Sequence, residues 1–426
     1  MPQSVSRRTA LRTLSSGAVA FFVVGCGGSD TAAPAATTTI PDLAMPTAIP
    51  TPTGSIITRW PEDPWTRGAY SFLAEGSSPD DRATIATALD ERLWFAGEAV
   101  DRWNPATVHG AHNSGRKAAL AAAAAGHQRV VIIGAGIAGL AAGRALVDEG
   151  IEAVIVEAQD RPGGRIKTDR SLGPALDLGA SWIQGPDGNV ITTICDAAGI
   201  ERVRTDYDDL VVRNTAGEYV AWRDVPGRWR IETNTVLEYA ADVEDLAAGY
   251  NAEGASLVGI DVIFPDGYDQ VVDVAAEGLD ITLEDPVTQV TWGGSGVEVL
   301  SASGTRVTDA VIVTVPLGVL KAGAIDFEPA LPAGHLESID RLGMGHLQKV
   351  YLQFDEVFWD PDISFFGLAS DSNDRFPWWM NLAPLTGDPV LVAFHGGDAA
   401  DALIAKSDEA IVADAVLALE QMFGLA

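Results

Sequence analysis

The sequence predicts an α/β protein, and three adjoining segments support that prediction. Residues 129–133 form an apolar, β-branched run with the composition of a buried parallel strand. The glycine-rich residues 134–139 follow at once and lead into residues 140–149, whose composition is that of a helix. A second apolar strand, over residues 152–156, ends in Glu157. This order of strand, glycine-rich turn, helix and strand is typical of a Rossmann-like dinucleotide-binding domain.

Each glycine of the turn has a physical reason. Gly134 permits a tight bend, Gly136 has no side chain to obstruct a pyrophosphate, and Gly139 lets the helix pack closely on the strand. The free N–H groups at the start of the helix then face the phosphates. Glu157 lies 18 residues after Gly139, where its carboxylate can accept a hydrogen bond from a ribose hydroxyl. These four residues are therefore predicted to bind a dinucleotide cofactor.

Composition limits the other functions that the chain can have. Its 426 residues are enough for two domains of ordinary size. The formal net charge is −31, from 28 Lys and Arg against 59 Asp and Glu, so we expect no nucleic acid partner. Such acidity either concentrates cationic substrates or only keeps the protein soluble. Because the chain has 2 cysteines and 6 histidines, we expect neither a disulfide framework nor a metal site.

The N-terminal residues 1–26 are predicted to be an export signal. They contain a twin-arginine-like motif at Arg7-Arg8 and an apolar stretch at 18–24 that is too short to span a bilayer. The following Cys26 ends a sequence that resembles a lipobox, in which the cysteine is lipidated. An ordinary signal peptide with a chance cysteine is the alternative, and it implies a periplasmic or secreted protein. Residues 27–54, rich in Ala, Thr, Pro and Gly, are predicted to be a disordered linker.

Four sequence blocks precede the glycine-rich turn, at residues 57–60, 66–72, 93–99 and 105–110. They resemble the last portion of the flavin amine oxidases, the family of the monoamine oxidases, polyamine oxidases and lysine-specific histone demethylases. In that family this portion ends the chain. Residues 408–424 resemble the helix that there comes directly before the first block. The resemblance therefore implies a circularly permuted order; fusion of a fragment to a truncated enzyme is the alternative.

The resemblance implies a GR2-type flavoprotein that binds FAD. Residues 161–165 and 177–185 resemble segments that pass beside the cofactor, and residues 281–287 are expected to be a strand that leads to an adenine contact. Since Ala69 stands where monoamine oxidases have the cysteine that bonds to flavin, the FAD should be non-covalent. The implied cofactor contacts, besides the four residues already named, are Gly164, Arg165, Gly179, Ala180, Ser181, Trp182, Val287, Glu98, Thr107 and Val108.

Three residues are implied in catalysis. Lys349 matches the family lysine that holds a water near flavin N5, and a lysine in an apolar strand-like segment is unusual on physical grounds as well. An exposed lysine at a strand edge is the alternative. Tyr70 matches one wall of the aromatic cage that guides the amine to the flavin. Thr107 stands where monoamine oxidases have the second tyrosine of that cage.

The implied architecture is an FAD-binding domain from residues 55–185 and 262–320, with an α+β substrate domain from residues 186–261 and 321–426. The implied reaction is oxidation of primary amines or polyamines to an imine, which hydrolyses to an aldehyde, while O2 becomes hydrogen peroxide. Residues 225–233 are short where relatives have more helix. A catalytically weakened flavin-binding lipoprotein is therefore one alternative. An L-amino-acid oxidase, which needs a cationic residue for the substrate carboxylate, is another, and the oligomeric state stays open.

Overall fold

The computed structural model describes residues 46–255, 257–370 and 376–426. The twin-arginine-like motif and Cys26 lie outside these residues, so the export and lipidation predictions remain predictions. The end of the predicted linker lies inside them. There Ile49 packs against an apolar cluster, and Gly54 begins the first strand. The linker is therefore shorter than predicted, because its last residues join the folded part.

The described part of the chain contains strands and α-helices throughout its length. The strands are β1 Gly54–Ile57, β2 Ser71–Phe72, β3 Leu93–Phe95, β4 Arg129–Ile133, β5 Glu152–Val156, β6 Thr168–Asp169, β7 Leu176–Asp177, β8 Trp182–Ile183, β9 Val203–Arg204, β10 Leu210–Asn214, β11 Val262–Ile263, β12 Asp280–Thr282, β13 Val287–Thr291, β14 Val297–Ser301, β15 Gly304–Thr308, β16 Ala310–Val313, β17 Asp326–Glu328, β18 Gly343–Met344, β19 Leu347–Gln353, β20 Phe365–Ala369, β21 Trp378–Asn381 and β22 Val390–Gly396. The α-helices are α1 Pro79–Ile85, α2 Val108–Ala124, α3 Ile137–Asp148, α4 Val190–Ala198, α5 Gly227–Ile231, α6 Leu237–Tyr239, α7 Asp269–Ala276, α8 Leu317–Lys321, α9 Ala333–Arg341, α10 Ala383–Thr386, α11 Gly397–Ile404 and α12 Asp408–Met422. A π-helical turn, Glu232–Val236, joins α5 to α6.

A five-stranded sheet of order β12-β5-β4-β16-β3 is parallel throughout. Successive residues of β4 belong alternately to two apolar clusters, so the strand is buried on both faces. Helices α2 and α3 pack on one face, and the four-stranded sheet β15-β14-β13-β17 covers the other. The predicted strands at 129–133 and 152–156 are confirmed with the same bounds, and the α/β class is confirmed with them.

Two predicted elements differ in detail. Helix α3 begins at Ile137 and not at residue 140, because the last residues of the glycine-rich turn are themselves helical. The strand predicted over residues 281–287 is two strands, β12 and β13, with a bend between them. Glu284 has a φ of +54° there, a left-handed conformation that an extended strand cannot contain. The bend brings the Asp285 N–H to the carbonyl of Glu157, which ties it to the end of β5.

A six-stranded sheet of order β1-β19-β22-β21-β20-β10 forms the second unit. Its strand pairs are antiparallel, apart from the parallel pair of β10 and β20. Helix α12 packs on one face through Ile411, Ala415 and Leu419. The sequence predicts that residues 55–185 belong to the FAD-binding domain. Strand β1, which contains residues 55–57, instead pairs with β19 of this second sheet. The division into two units otherwise stays a prediction.

A histidine is buried in this second sheet. His395 on β22 lies opposite Gln348 on β19, and its ring packs edge-to-face on Phe376 with 4.4 Å between the ring centroids. Neither ring nitrogen of His395 has a hydrogen-bond partner among the described residues, and His395 is 1% exposed. Burial, with a smaller contribution from the charge of Lys406, lowers the pKa of the imidazole to about 4.

We expect His395 to make folding sensitive to acid. Its folded pKa lies below the unfolded value, so the unfolded chain binds more protons between about pH 4 and pH 6.5. As the pH falls from about 6.5 to about 4, the free energy of unfolding should therefore fall, by roughly 3 kcal/mol in total. Urea unfolding of wild type and of His395→Phe at pH 7 and pH 5 would measure this. The stability difference between the two proteins should shift in favour of the variant at pH 5, and a difference independent of pH would contradict the expectation. His127→Phe, at a partly exposed histidine, is the control.

Candidate active site

A cavity of about 300 Å³ opens at the carboxyl ends of the parallel strands, where open α/β sheets bind their ligands. It is also lined by residues of the second sheet, so both units contribute to it. Of the sequence-predicted residues, those that line it are Tyr70, Glu98, Thr107, Val108, Gly134, Gly136, Glu157, Gly164, Arg165, Gly179, Ala180, Ser181, Trp182, Val287 and Lys349. Gly139 lies outside the lining.

The glycine-rich turn has the geometry that its sequence predicts. Gly134 has a φ of +104°, a conformation that favours glycine. A Cβ added to Gly136 would meet no protein atom within 4 Å, so this position faces open space in the cavity. A Cβ added to Gly139 would lie 1.9 Å from the carbonyl oxygen of Gly134. Gly136 therefore leaves room for a ligand, whereas Gly139 permits close packing of helix on turn.

The first residues of two helices line the cavity. Helix α3 begins beside Gly136, and helix α2 begins at Val108. The two helices pack tightly, since a Cβ added to Gly115 of α2 would lie 1.9 Å from the carbonyl oxygen of Ala138 in α3. Both helix ends have partial positive charge, which favours anionic groups such as phosphate or a reduced flavin ring.

The hydroxyl of Thr107 makes two hydrogen bonds within its own segment. It accepts a hydrogen bond from the Gly110 N–H at 3.0 Å and donates one to the carbonyl of Asn104 at 2.7 Å. Thr107 is thus the N-cap of α2. Thr107 therefore positions the start of α2, and because it also lines the cavity, its contact with the cofactor or the amine stays a prediction.

Glu157 is buried at the end of β5. Its carboxylate accepts hydrogen bonds from the N–H groups of Ala135 at 2.6 Å and Gln159 at 2.8 Å. Burial raises the pKa of this carboxyl and outweighs the two amides, which lower it. The residue lines the cavity beside the glycine-rich turn, where a ribose hydroxyl can add a further donor.

Glu98 is the centre of a buried polar network. It forms an ion pair of 2.8 Å with Arg165 and accepts hydrogen bonds from the Ser71 hydroxyl at 2.6 Å and the Ala106 N–H at 3.1 Å. Burial alone raises the pKa of this carboxyl, but Arg165 and Ser71 outweigh it, and the pKa lies below its ordinary value. Glu98 is therefore an anion that holds Arg165 against the cavity wall.

Sequence reasoning missed the residues that support this network. Arg82 donates to the Ser71 hydroxyl at 2.7 Å and pairs with Glu253 at 2.9 Å. Both members of this ion pair are buried, with side-chain exposures of 0% and 2%. No motif signals such a pair, because 171 residues separate its members along the chain.

Lys349 lies inside the second sheet, on β19 between β1 and β22, and is 3% exposed. The alternative of an exposed lysine at a strand edge is therefore wrong. Its Nζ donates to the carbonyls of Asp177 and Gly179, both at 2.7 Å, and to the Ser181 hydroxyl at 2.6 Å. Burial lowers the pKa of the ammonium group, while the Asp177 carboxylate raises it in part. The three N–H groups of Lys349 thus fasten the 177–181 turn.

Aromatic side chains form part of the remaining lining. Trp182 and Phe394 face each other with 5.9 Å between ring centroids, and Lys349 Nζ lies 5.8 Å from each ring. The hydroxyl of Tyr70 donates to the carbonyl of Leu237 at 2.8 Å. Further aromatic residues of the lining are Trp60, Trp65, Tyr207 and Trp378.

Two acidic residues that sequence reasoning missed also line the cavity, Glu238 on α6 and Asp261 before β11. Asp261 is 1% exposed and accepts a hydrogen bond from the Gly185 N–H at 2.9 Å. Among the described lining residues, the cationic side chains are Arg165 and Lys349, and both are engaged by protein acceptors. This part of the cavity thus suits a cation better than an anion.

Comparison with known proteins agrees with the geometry. A family model described as flavin containing amine oxidoreductase matches residues 31–123, 137–252 and 238–426. The chain is 31% identical to polyamine oxidase 2 of Arabidopsis thaliana over 69% of this chain and 72% of that protein. It is 35% identical to polyamine oxidase 3 of Oryza sativa subsp. japonica, over 66% of this chain and 70% of that protein.

A solved structure of putrescine oxidase bound to putrescine has a similar fold. Its TM-score is 0.55 at 23% identity, over 70% of this chain and 82% of that one. Similarity to a human protein, lysine-specific histone demethylase 2, is 28% identity over 70% of this chain and 44% of that protein.

Proposed function

The chain belongs to the flavin-containing amine oxidoreductase family, and on this premise we propose that its substrates are di- or polyamines. It is an FAD-dependent amine oxidase, which oxidises a carbon–nitrogen bond and passes the electrons to O2. The observation that supports the substrate class is the lining of the cavity, where Glu238 and Asp261 add negative charge to an aromatic wall. Carboxylates and aromatic faces both attract ammonium groups.

The residues of the cavity fit FAD. Open space at Gly136, the left-handed Gly164 beside it, and two helix N-termini form a place where backbone can approach a pyrophosphate. A Cβ added to Gly164 would have Gly136 Cα as its nearest contact, at 3.5 Å, so this pair is also open towards the ligand. Glu157 offers an acceptor to ribose. When bound, FAD supplies the acceptor for the hydrogen and electrons of the amine.

The protein's own residues orient the substrate and exclude water. Lys349 holds the 177–181 turn through three hydrogen bonds, so the wall at Ser181 and Trp182 has one fixed position. An ammonium on Lys349 repels a second ammonium nearby and so favours the neutral amine there, which is the form that can be oxidised. Glu238 and Asp261 favour the charged form of a second amino group.

Peroxide release by the FAD-loaded protein with putrescine, spermidine and benzylamine tests the proposal. We expect Glu238→Gln to raise KM for putrescine and spermidine about tenfold, the effect of losing one charge-assisted hydrogen bond at a partly exposed site. KM for benzylamine, which has one amino group, should change little. Glu244→Gln, at an exposed acid outside the described cavity lining, is the matched control. If the wild-type protein turns over none of these amines, the proposed function is wrong. If the KM of all three amines changes equally in Glu238→Gln, only the proposed role of Glu238 is wrong.

A second function, oxidation of L-amino acids, needs a cation for the substrate carboxylate. The two lining cations, Arg165 and Lys349, are already paired, so the described cavity favours amines.

We also propose that the chain order is a circular permutation of the family order. Strand β3 lies beside β16 in the parallel sheet, and β1 lies beside β19 in the second sheet, so the segment before the glycine-rich turn joins both units. Helix α2 leads through only four residues, 125–128, into β4. A gene that moves residues 55–126 behind residue 426 through a flexible linker tests this. The rearranged protein should bind FAD, and failure to fold would contradict the proposal.

Export with a lipid anchor on Cys26 is likewise our proposal, supported by the twin-arginine-like motif and the lipobox-like sequence. Incorporation of a labelled fatty acid into wild type but not into Cys26→Ser is the expected result. Equal labelling of the two, or none, would contradict it. In the described part of the chain, no helix combines the length and apolarity needed to cross a membrane.

A further inference from the structure

The bend between β12 and β13 is held by a polar cluster that lies outside the lining of the cavity. Asp285 is 2% exposed, and its carboxylate accepts hydrogen bonds from the N–H and the hydroxyl of Ser303, both at 2.7 Å. Arg306 pairs with the same carboxylate at 2.8 Å and also donates to the Ser301 hydroxyl at 2.9 Å. We call these four residues the 285–306 cluster. None of them lines the described cavity.

The Asp285 carboxyl is an anion in the folded protein. Burial raises its pKa, but hydrogen bonds from Ser303 and Arg306 outweigh burial, so the pKa lies below its ordinary value. A buried charge is tolerated only where such partners compensate for its lost hydration. The 285–306 cluster therefore fixes the position of Asp285 and of the backbone on either side of it.

The backbone of the bend holds the end of β5. The Asp285 N–H donates to the carbonyl of Glu157, and the Glu284 N–H donates to the carbonyl of Gln159, both at 2.9 Å. Glu157 and Gln159 line the cavity, and so does Val287, which follows the bend. Because Glu284 has a φ of +54°, which is unfavourable for a residue with a side chain, the bend needs support from its surroundings. The side chain of Asp285 gives that support, while its N–H holds the cavity wall.

We propose that Asp285 is a positioning residue for the adenosine half of FAD. It does not line the cavity, but it fixes Glu157, the proposed acceptor for the ribose, and the adjoining wall at Val287. The proposal rests on the proposed placement of FAD at the glycine-rich turn and is independent of which amine is oxidised. Lys349 fastens the 177–181 turn separately, so that part of the cavity should not depend on Asp285.

Competition between FAD and ADP for the apoprotein tests the proposal, because ADP has the adenosine and both phosphates but no flavin. We expect Asp285→Ala to weaken the affinity for FAD and for ADP by the same factor, about tenfold, the effect of losing one hydrogen bond to a charged group. Asp285→Asn, which can still accept from the Ser303 N–H, should lose less affinity. At saturating FAD, the visible absorbance spectrum of the flavin and its rate of reduction by amine should equal those of the wild-type protein.

Asp309→Ala is the matched control for this experiment. The Asp309 carboxylate also accepts two main-chain hydrogen bonds, from Gln128 and Arg129, and pairs with the Arg129 guanidinium at 3.1 Å. It lies beside the first residue of β4, whereas the cavity opens at the carboxyl ends of the parallel strands. Its side chain is 30% exposed against 3% for Asp285, so the control matches the hydrogen bonds and not the burial. This variant should bind FAD and ADP like the wild type, even if its thermal stability falls.

Two outcomes would overturn the role of Asp285. One is an affinity for ADP that folded Asp285→Ala leaves unchanged, or that falls by a different factor from the affinity for FAD. The other is a loss of affinity that Asp309→Ala shares, since that result assigns both residues to stability alone. If Asp285→Ala does not fold, Asp285→Asn decides, with a smaller but equal loss expected for the two ligands.

Failure of the underlying placement of FAD gives a different result. If Gly136→Val binds ADP as tightly as the wild type does, the adenosine half does not lie at the glycine-rich turn, and the role of Asp285 falls with that placement. An effect of Gly136→Val without any effect of Asp285→Ala would instead leave the placement intact and contradict only the positioning role.

Discussion

Replacing Lys349 with methionine is expected to slow flavin reduction by amine about a hundredfold while FAD stays bound. Methionine is close in volume and apolar, but it removes the Lys349 donor from the carbonyls of Asp177 and Gly179 and from the hydroxyl of Ser181. The hydroxyls of Tyr351 and Ser181 are the donors that remain in this turn. The 177–181 turn then loses its fixed position, and small misplacements of a reacting pair cost on the order of a hundredfold in rate. Anaerobic stopped-flow reduction measures the rate, and flavin absorbance measures cofactor content.

Lys321→Met is the matched control for this experiment. Lys321 also donates to three main-chain carbonyls, those of Ile339, Asp340 and Leu342, but it does not line the cavity. Lys321 is exposed, so the control matches the three hydrogen bonds of Lys349 and not its burial. If such hydrogen bonds matter only for stability, the two variants should not differ in the rate of flavin reduction. An unchanged rate of flavin reduction in Lys349→Met, or an equal loss of rate in both variants, would show that Lys349 has no specific role in the reaction.

Substituting Gly136 with valine is expected to yield a folded protein without cofactor. The backbone at Gly136 has a φ of −67° and a ψ of 171°, which valine adopts without strain, and its Cβ would meet no protein atom within 4 Å. The added side chain instead occupies the space in which we place the pyrophosphate. We expect FAD affinity to fall on the order of a thousandfold, or ~4 kcal/mol. Fluorescence titration of the apoprotein with FAD would measure it.

Gly139→Val gives the contrasting result. Its Cβ would lie 1.9 Å from the Gly134 carbonyl oxygen and 3.1 Å from the Thr314 hydroxyl, so the helix cannot pack on the turn. This variant should lose thermal stability even when no cofactor is added, whereas the Gly136 variant should unfold like the wild-type apoprotein. Wild-type FAD affinity in Gly136→Val would show that the cofactor does not approach this turn.

Local motifs were predictable because their physics is local. The strand at 129–133, the glycines at 134, 136 and 139, and the acid at 157 need only each other to form a phosphate-binding turn. Similarity of the four blocks at 57–110 to the family also indicated that a distant segment would contribute to the site, and Tyr70 and Glu98 do line it. The predicted helix starts and strand ends are less accurate than the predicted motifs. They depend on the conformation of single residues, such as Glu284 with its positive φ.

The sequence by itself determined the α/β class, the dinucleotide-binding turn, the family and the flavin. Only the tertiary structure decided what surrounds them. It showed that Thr107 caps a helix, that Lys349 is buried and fastens a turn, and that Glu238 and Asp261 enter the cavity. These facts depend on contacts between segments that are far apart in the chain. Whether a charged group can be buried depends on which groups lie beside it after folding, because they offset the cost of removing it from water. A pattern of residues that are neighbours in the sequence contains no information about such long-range contacts.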